Sequence, residues 1–343
     1  MRLTGHASDT GLTGSAPTAE RRASVRGQMH DLAIVLVSHS EAPWLRSCLV
    51  SVLAHTGGCA VDVVVVCNGN DGSAEIVEQD FTNVRAIRCE NRGFAHACNT
   101  GLRTCDARYA LLLNVDTEVR AGTFSDLVAA LDERPSVGAA GVVQVTPTGE
   151  VHPTMRRFPT VLRALGEAFG SERWPLRPAS FGEREFDRSR YESEQACDWM
   201  SGSFLVLRRE ALDDVGLLDE RFFLYAEEPD LCLRLKQGGW EVRHLPVMTI
   251  VHHADRGSED RRLEAQAAYA RRQLAEKHFS PLRCRAFVAA LALRYALRGA
   301  MPVGASRSAG KRRAARGALR VLLGIEPPPF ASRPATSGDG GPS

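Results

Sequence analysis

Three carboxylates within four residues form the densest group of chemically reactive side chains in this sequence. Glu227, Glu228 and Asp230 directly follow the aromatic stretch 222–225. Like charges this close cost free energy unless a metal ion, a helix N-terminus or a raised pKa offsets them. Pro229 favours the first turn of a helix, which would hold the acids at a helix N-terminus beside apolar rings. That position suits a general base, although a solvated acidic helix start without chemistry explains the same residues.

Polar residues also gather at the ends of four predicted strands. A continuous apolar run predicts a strand buried on both faces at 32–37, and a second buried strand is predicted at 61–66. Two further strands are predicted at 84–89 and 109–113. They alternate with helical segments, which is the signature of a parallel sheet with crossover helices. Ligands of such sheets lie beyond the carboxyl ends of the strands, where this chain has the polar clusters 38–41, 68–73, 90–93 and 114–116. Together the clusters predict a binding site at one sheet edge, while each by itself is compatible with a simple turn.

The rest of the chain must position the acidic cluster against that edge. The predicted elements are a helix at 122–133, a strand at 137–145, an apolar segment at 198–207 and short strands at 240–245 and 247–251. A helix that begins with the acids runs to Gln237 and stops at Gly238-Gly239. The last short strand ends at His252-His253, and a histidine there either ligates a metal or is a satisfied structural residue.

Two further segments have residue types suited to a phosphate or a sugar. Arg156 and Arg157 can hold phosphate oxygens, or they form a solvated surface pair. The segment 201–203, Ser-Gly-Ser, is small enough for a ligand to approach the backbone. Segment 171–196 is polar and weakly patterned, which predicts a mobile loop near the substrate entrance. Neither GxGxxG nor GxxxxGK[ST] occurs, so the sequence supports neither a dinucleotide fold nor a P-loop.

Composition and charge narrow the class of protein. With 343 residues, 44% hydrophobic and 24% charged, the chain has the composition of a soluble globular protein. Its net charge of +2 predicts no polyanion partner, and therefore no nucleic acid. Nine cysteines without a CxxC pair fit reduced thiols and a cytoplasmic location. We expect no signal peptide and no spanning helix, because the chain has neither a suitable N-terminal apolar segment nor a run of eighteen apolar residues.

The C-terminal part of the chain is basic and predicted to be helical. The pattern predicts a helix at 259–278 and a strongly apolar stretch at 287–297. Eight basic residues accompany this region: Arg294, Arg298, Arg307, Lys311, Arg312, Arg313, Arg316 and Arg320. Their interleaving with Ala318, Leu319 and 321–323 resembles an interfacial amphipathic surface attracted to anionic lipid. A solvated basic helix, a disordered tail or a helix in contact with protein explains the same composition.

The ordered motifs of residues 31–258 resemble those of a known enzyme family. They read CNGNDGS, ENRGFAHACNTGL, LLLNVDTEV, MRRFPT, DWMSGSFLVLRREAL, GLLDERFFLYAEEPDLCLRLKQGGW and VHH, in chain order. The chain resembles the inverting family 2 glycosyltransferases of the GT-A fold, most of all the rhamnosyltransferases of bacterial cell-wall polysaccharide assembly. The resemblance implies an α/β fold with a Rossmann-like, mostly parallel nucleotide-binding sheet flanked by helices, followed by a helical, basic C-terminal extension. The expected organisation is a disordered arm at 1–30, the GT-A domain at 31–258, an amphipathic helical region at 259–325 and a disordered tail at 326–343.

The resemblance also implies a role for each residue that matches a family motif. Glu228, the second member of the paired acid motif, would be the general base, with Glu227 and Asp230 in the same catalytic group. Asp116 would be a ligand of Mg²⁺ or Mn²⁺, and His252 an additional one. The residues implied in nucleotide-sugar binding are Ser38, His39, Glu41, Asn68, Asp71, Asn91, Gly93, Asn99, Asn114, Arg156, Trp199, Ser201 and Gly202.

The implied activity is a metal-dependent transfer of a sugar to a hydroxyl with inversion at the anomeric carbon. The implied donor is dTDP-L-rhamnose, and the acceptor is a polyprenyl-diphosphate-linked saccharide or a cell-wall polysaccharide. The basic C-terminal region then suggests a cytoplasmic protein at the inner face of the plasma membrane. A non-catalytic nucleotide-sugar-binding protein on the same fold is the alternative.

Three residues depart from the family pattern. Cys67 stands where the family commonly has an aspartate that contacts the base, which bears on the choice of nucleotide. Glu228 stands where aspartate is usual, so the base reaches about one methylene further. Asp116 is the one carboxylate of the metal motif, since its other polar position is Asn114.

Overall fold

The computed structural model describes residues 30–171, 178–253, 260–300 and 306–330. The predicted N-terminal arm lies outside the described residues except for His30, and so does the predicted tail beyond Phe330. In chain order the helices are α1 (Ala42–Ala54), α2 (Ser73–Asp80), α3 (Phe94–Arg103), α4 (Phe124–Asp132), α5 (Val161–Ala168), α6 (Arg209–Val215), α7 (Glu227–Gln237), α8 (Arg261–His278), α9 (Pro281–Ala300) and α10 (Ser306–Leu322).

The first half of the chain builds a parallel sheet, as predicted. Its strands are β1 (His30–Ser38), β2 (Val61–Cys67), β3 (Val84–Arg88) and β4 (Ala107–Asn114). β1 pairs in parallel with both β2 and β4, and β2 pairs in parallel with β3. Because helices cover both faces, β1, β2 and β4 are largely apolar, which made them recognisable in the sequence, whereas the edge strand β3 carries the exposed Arg85 and Arg88. Their carboxyl ends, with the polar residues that follow, lie at the same edge of the sheet.

The second half extends this sheet with strands of mixed direction. They are β5 (Thr117–Ala121), β6 (Val137–Val145), β7 (Met155–Arg156), β8 (Gln195–Ala196), β9 (Trp199–Met200), β10 (Phe204–Arg208) and β11 (Glu241–His252). The nine-stranded sheet of the described residues has the order β3-β2-β1-β4-β10-β6-β11-β5, with β8 paired to β11. β10 lies between β4 and β6 and is antiparallel to both. The start of β10 therefore lies beside the carboxyl end of β4.

The two short strands predicted at 240–245 and 247–251 are in fact one strand, and the prediction was wrong here. β11 runs unbroken through Pro246, which is exposed, and pairs with β6 on both sides of it. The register against β6 shifts between His244 and Thr249, so the proline lies within an irregularity where its missing N–H is tolerated. The strand carries His252 to the same edge as the end of β4.

Helices cover the two faces of the sheet in separate layers. α1, α2 and α4 pack on one face against side chains such as Leu32 and Ile34. α3, α6 and α7 pack on the other face against Ala33 and Val35. Alternate residues of one strand thus pack into the cores on opposite faces of the sheet, because successive side chains of a strand point in opposite directions.

The C-terminal helices form a further core with α5. Side chains of α5, α8, α9 and α10 share it, including Phe287, Leu291 and Leu322. Of the apolar residues interleaved with the basic ones, Leu323 is exposed, whereas Ala318, Val321 and Leu322 of α10 are buried. These buried side chains pack inside the protein. Within the described residues, no helix combines the length and the hydrophobicity needed to cross a membrane.

The predicted mobile loop at 171–196 is largely structured where it is described. Its residues 172–177 lie outside the described part of the chain. The remainder contains two 3₁₀ turns, Ala179–Phe181 and Arg188–Tyr191, followed by β8. The buried Tyr191 holds it in place, since its hydroxyl donates to the carbonyl of Glu185 at 3.0 Å and accepts from the amide of Met155 at 3.1 Å.

Candidate active site

The acidic cluster begins α7, as the sequence predicted, and the turn before it has an unusual backbone. Tyr225 and Ala226 have φ angles of 69° and 70°, in the left-handed region that residues with a Cβ rarely adopt. Upstream, the carbonyl of Phe223 accepts the amide of Phe94 at 2.6 Å, which fastens the turn to the start of α3. A side chain at Gly93 would place its Cβ 2.4 Å from the same carbonyl oxygen, so this close approach requires glycine. Such strain persists only where the surroundings hold it, and it is common at functional sites.

Glu228 lies against the backbone of the loop between β9 and β10. Its Oε1 accepts the amide of Gly202 at 3.2 Å. A Cβ at position 202 would come within 2.2 Å of that oxygen, so the carboxylate occupies the space that glycine leaves. The carbonyl of the next residue, Ser203, accepts the amide of Asn114 at 3.0 Å. A short chain of contacts thus joins Glu228 to the end of β4.

Glu227 and Glu228 differ in burial and therefore in their titration. Glu227 is buried, and both burial and the charge of Glu228 raise its pKa well above the usual value of 4.5. Glu228 is half-buried, and its pKa is raised by desolvation against the opposing hydrogen bonds from backbone amides. The surroundings of Glu227 penalise a negative charge more strongly than those of Glu228. Glu228 is therefore the member of the pair better suited to accept a proton.

Asp230 faces away from the sheet edge and joins α7 to the end of α8. Its side chain is fully buried. One carboxylate oxygen lies 2.6 Å from Lys277 Nζ and 2.7 Å from His278 Nε2, and the other accepts from Arg234 Nε at 2.9 Å. The contacts with Lys277 and His278 join α7 to the end of α8, while the contact with Arg234 lies within α7. This geometry gives Asp230 a positioning role for α7, and it was predicted only as part of the catalytic group.

Asp116 and His252 lie together at the sheet edge. Asp116 Oδ1 and His252 Nε2 are 3.4 Å apart, and both side chains are buried. Neither ring nitrogen of His252 has a hydrogen-bond partner among the described residues. Buried nitrogens normally have partners, so this donor pair fits a cation that would occupy them. In the described part of the chain no group of three or more His, Cys, Asp or Glu could hold a metal ion, so substrate or water oxygens would complete the coordination.

The sequence did not single out His152, which lies beside this pair. Its ring stacks in a tilted arrangement on that of His252, with centroids 5.6 Å apart. Burial and the nearby His252 lower the pKa of His152 to about 4, so its imidazole is neutral near pH 7. The only sequence signal was its place next to the basic segment 155–160.

Arg156 lies near Glu228, since its charge acts to lower the pKa of that carboxyl group. Its guanidinium stacks over the ring of Trp199 at 5.3 Å, and its buried Nε has no hydrogen-bond partner among the described residues. Burial, with Arg184 nearby, lowers the pKa of Arg156 to about 10, which leaves it charged at neutral pH. Trp199 is itself fixed, because its indole nitrogen donates to the carbonyl of Arg157 at 3.1 Å. Arg156 is thus a preformed cationic group suited to an anionic ligand.

The carboxyl ends of β2 and β3 enclose a cavity of about 620 Å³. Two predicted nucleotide-binding residues, Asn68 and Asn91, line it, and so does Cys67. The buried Oδ1 of Asn68 has no hydrogen-bond partner in the described part of the chain. Arg88 and Cys89 also line the cavity and were missed, since they belong to the end of a predicted strand. The cavity is of the size usual for small-molecule sites.

Several predicted binding residues fasten the loops of this edge to each other. Ser38 and Ser73 share a buried hydrogen bond of 2.7 Å between their hydroxyls. Asp71 accepts the amides of Glu41 and Ala42 at 2.8 and 3.0 Å, at the start of α1. Desolvation opposes the ionised form, but hydrogen bonds from Ser73, Ala42 and Glu41 lower the pKa of Asp71 overall. These side chains shape the cavity through the loops that they connect.

Of the remaining predicted binding residues, some lie at the sheet edge and others lie in the protein interior. At the edge, His39 Nδ1 lies 3.3 Å from the carbonyl oxygen of Asn68, and the hydroxyl of Ser201 accepts that of Ser203 at 3.3 Å. Asn99 was expected to line the nucleotide and sugar site, but it is buried in α3. Its amide donates to the carbonyl of Leu218 at 2.8 Å and its oxygen accepts the amide of the same residue at 3.1 Å. Asn99 thus supports the loop before the acidic turn.

Comparison with known proteins agrees with this geometry. Residues 30–276 match the family described as "Glycosyltransferase like family 2". The N-acetylglucosaminyl-diphospho-decaprenol L-rhamnosyltransferase of Mycobacterium tuberculosis is 32% identical over 236 residues, 65% of this chain and 76% of that protein. Rhamnosyltransferase WbbL of Escherichia coli is 22% identical over 229 residues, 64% of this chain and 83% of that protein.

A solved structure shares the fold. The mannosyltransferase PcManGT from Pyrobaculum calidifontis, determined in complex with GDP-Man and Mn²⁺, superimposes with a TM-score of 0.53. Its identity is 16%, and the similarity covers 90% of this chain and 94% of that one. The predicted GT-A fold and the predicted similarity to rhamnosyltransferases are thereby confirmed. The chain belongs to glycosyltransferase family 2 and is a glycosyltransferase.

Proposed function

We propose that this glycosyltransferase moves L-rhamnose from dTDP-L-rhamnose to a hydroxyl of a polyprenyl-diphosphate-linked saccharide, at the cytoplasmic face of the membrane. The observation that carries the proposal is the contact chain from Glu228 through Gly202 and Ser203 to the end of β4. It joins the candidate base to Asn114 at the end of β4, two residues before Asp116. The similarity to named rhamnosyltransferases favours this sugar.

The cation would be Mg²⁺ or Mn²⁺, held by Asp116 and His252. When bound, it acts as a Lewis acid on the diphosphate, which makes the nucleoside diphosphate a better leaving group. Arg156, charged and incompletely hydrogen-bonded, would neutralise a further phosphate oxygen. The cavity at the ends of β2 and β3 would receive the base and ribose. Its Cys67 is neutral, because burial raises the pKa of the thiol to about 11, so contact with the base would not involve a charge.

Glu228 would accept the proton of the acceptor hydroxyl as that oxygen attacks the anomeric carbon. The new glycosidic bond forms while the bond to the diphosphate breaks on the opposite side, so one displacement inverts the configuration. The raised pKa of Glu228 makes it a stronger base than an ordinary glutamate, and the amide of Gly202 holds its carboxylate in one orientation. A hydrolase of sugars would instead need two carboxylates flanking the bond.

A donor and acceptor panel tests the proposal. Purified full-length protein is incubated with dTDP-L-rhamnose, UDP-GlcNAc or GDP-mannose, with Mn²⁺, Mg²⁺ or EDTA, and with polyprenyl-diphosphate-linked N-acetylglucosamine. We expect nucleoside diphosphate release and a product one deoxyhexose heavier, with dTDP-L-rhamnose only and not in EDTA. Faster turnover of another donor would refute the assignment of rhamnose. Donor binding by calorimetry without turnover on any acceptor would favour the non-catalytic alternative.

A further inference from the structure

Helix α9 has an apolar face toward solvent as well as toward the core. Its inward face contributes Phe287, Leu291 and Tyr295 to the C-terminal core. Its outward face consists of Leu282, Ala286, Ala289, Leu293, Ala296 and Leu297, which are all exposed. The three leucines have exposed fractions of 79%, 36% and 39%. Their spacing of three, four and seven residues forms one stripe, roughly 20 Å long at 1.5 Å per residue.

The neighbouring helix α5 adds to this apolar surface. α5 packs beside α9, and its Glu167 accepts from Arg294 of α9 at 2.7 Å. Leu162 of α5 and Phe169, which directly follows that helix, are exposed. Large exposed apolar side chains on two adjacent helices are unusual for a surface that remains in water, and they indicate an interaction site.

The charges around the stripe indicate the chemistry of the partner. Residues 279–325 contain ten Lys or Arg and no Asp or Glu. Arg283 and Arg285 of α9 are exposed beside the stripe, and Lys311, Arg313 and Arg316 of α10 are exposed as well. A second copy of the chain would bring like charges together at this surface. An anionic surface with an apolar interior would satisfy both the leucines and the arginines.

We propose that the outward face of α9, with the exposed side chains of α5, docks on the surface of an anionic lipid bilayer. The leucines enter the boundary between headgroups and acyl chains, and the arginines contact lipid phosphates. α5 follows directly after the segment that contains Arg156 and Phe158. Docking would therefore bring the active-site side of the sheet near the headgroups. That last step rests on the proposed lipid-linked acceptor, whereas binding to the bilayer does not.

Vesicle flotation of the full-length protein tests the proposal without donor, acceptor or metal. The probes are vesicles of phosphatidylcholine alone and of phosphatidylcholine with one third phosphatidylglycerol. We expect flotation with the anionic vesicles only. Leu293→Gln and Leu282→Gln should each weaken the partition about tenfold, because each removes an exposed leucine from the bilayer. Val50→Gln on α1 should leave the partition unchanged, and the exposed fraction of Val50, 57%, lies between those of the two leucines.

The double variant Arg283→Gln/Arg285→Gln tests the electrostatic contribution to binding of the bilayer. This variant should lose binding to anionic vesicles by about tenfold or more and should become less sensitive to salt. Thermal melting checks that every variant is folded. Equal flotation of Val50→Gln, the leucine variants and the original protein would overturn the proposal. So would a dimer in sedimentation analysis that Leu293→Gln dissociates, because the occupant of the stripe would then be a second copy. Rhamnose transfer to a water-soluble acceptor, measured separately, reports on the proposed function alone.

Discussion

Gly202 donates its amide to Oε1 of Glu228 at 3.2 Å, and a Cβ at this glycine would come within 2.2 Å of the same oxygen. The orientation of the candidate base, Glu228, therefore depends on the absence of a side chain at position 202. Gly202→Ala should push the carboxylate aside and lower kcat by about a hundredfold, because small displacements of a catalytic group are costly. Donor affinity should change little. Steady-state kinetics with Gly310→Ala as control measure this, since a Cβ at position 310 meets no other atom within 4 Å.

Glu228→Gln should lower kcat by about two to four orders of magnitude, because it removes the proton acceptor. Donor binding by calorimetry should be retained. Glu228→Asp should recover part of the activity, since it restores a carboxylate one methylene shorter. In the unmodified protein kcat/KM should fall as the pH falls, with a midpoint above 4.5 because the pKa of Glu228 is raised. A Glu228→Gln enzyme with unchanged turnover would remove Glu228 from the mechanism.

Glu227→Gln should stabilise the protein increasingly as the pH rises above 4.5. Burial raises the folded-state pKa of Glu227 above its unfolded value, so the native protein keeps a proton that the unfolded chain has lost. The stability of the original protein should then decrease with pH across that window, by about 1.4 kcal/mol per pH unit for one proton. The variant lacks this dependence. Urea unfolding between pH 5 and pH 8 measures it, and the exposed Glu192→Gln should follow the original protein.

Asp116→Asn and His252→Gln should each raise the Mn²⁺ concentration needed for half-maximal activity by about tenfold or more. Each removes one of two adjacent protein donors. Calorimetric binding of Mn²⁺ with dTDP gives a readout independent of turnover, and we expect the same loss there. His152→Phe, which keeps a ring beside His252, should affect metal affinity less. Unchanged Mn²⁺ dependence in both ligand variants would locate the cation elsewhere.

Asp230→Asn should destabilise the fold by about 3 kcal/mol or more, because it leaves Lys277 and His278 near a neutral, buried amide. Urea unfolding measures this cost. The matched control is Asp80→Asn, which removes an ion pair with the exposed Arg46 and should cost less than about 1 kcal/mol. Equal effects of the two substitutions would contradict the positioning role of Asp230.

Local patterns predicted the fold well, while distant pairings were invisible in the sequence. β1, β2 and β4 are recognisable in the sequence because their residues are largely buried on both faces. The antiparallel insertion of β10 between β4 and β6 depends on partners about 65 to 100 residues away, which no local period encodes. The structural role of Asn99 was likewise not predictable from the local sequence pattern. An asparagine after a strand-end loop is typical of a ligand site, yet only the folded chain brings Leu218 against it.

The ties between Asp230 and the last turn of α8 bear on how the chain folds. The boundary expected at residue 258 separates α7 from Lys277 and His278, two of the three side chains that contact the Asp230 carboxylate, and the family match continues to residue 276, within α8. A protein truncated at residue 258 would keep the buried carboxylate of Asp230 but would lack Lys277 and His278. The catalytic helix and the C-terminal helices should therefore melt in one cooperative transition, so that a defect in the C-terminal core also removes the active site.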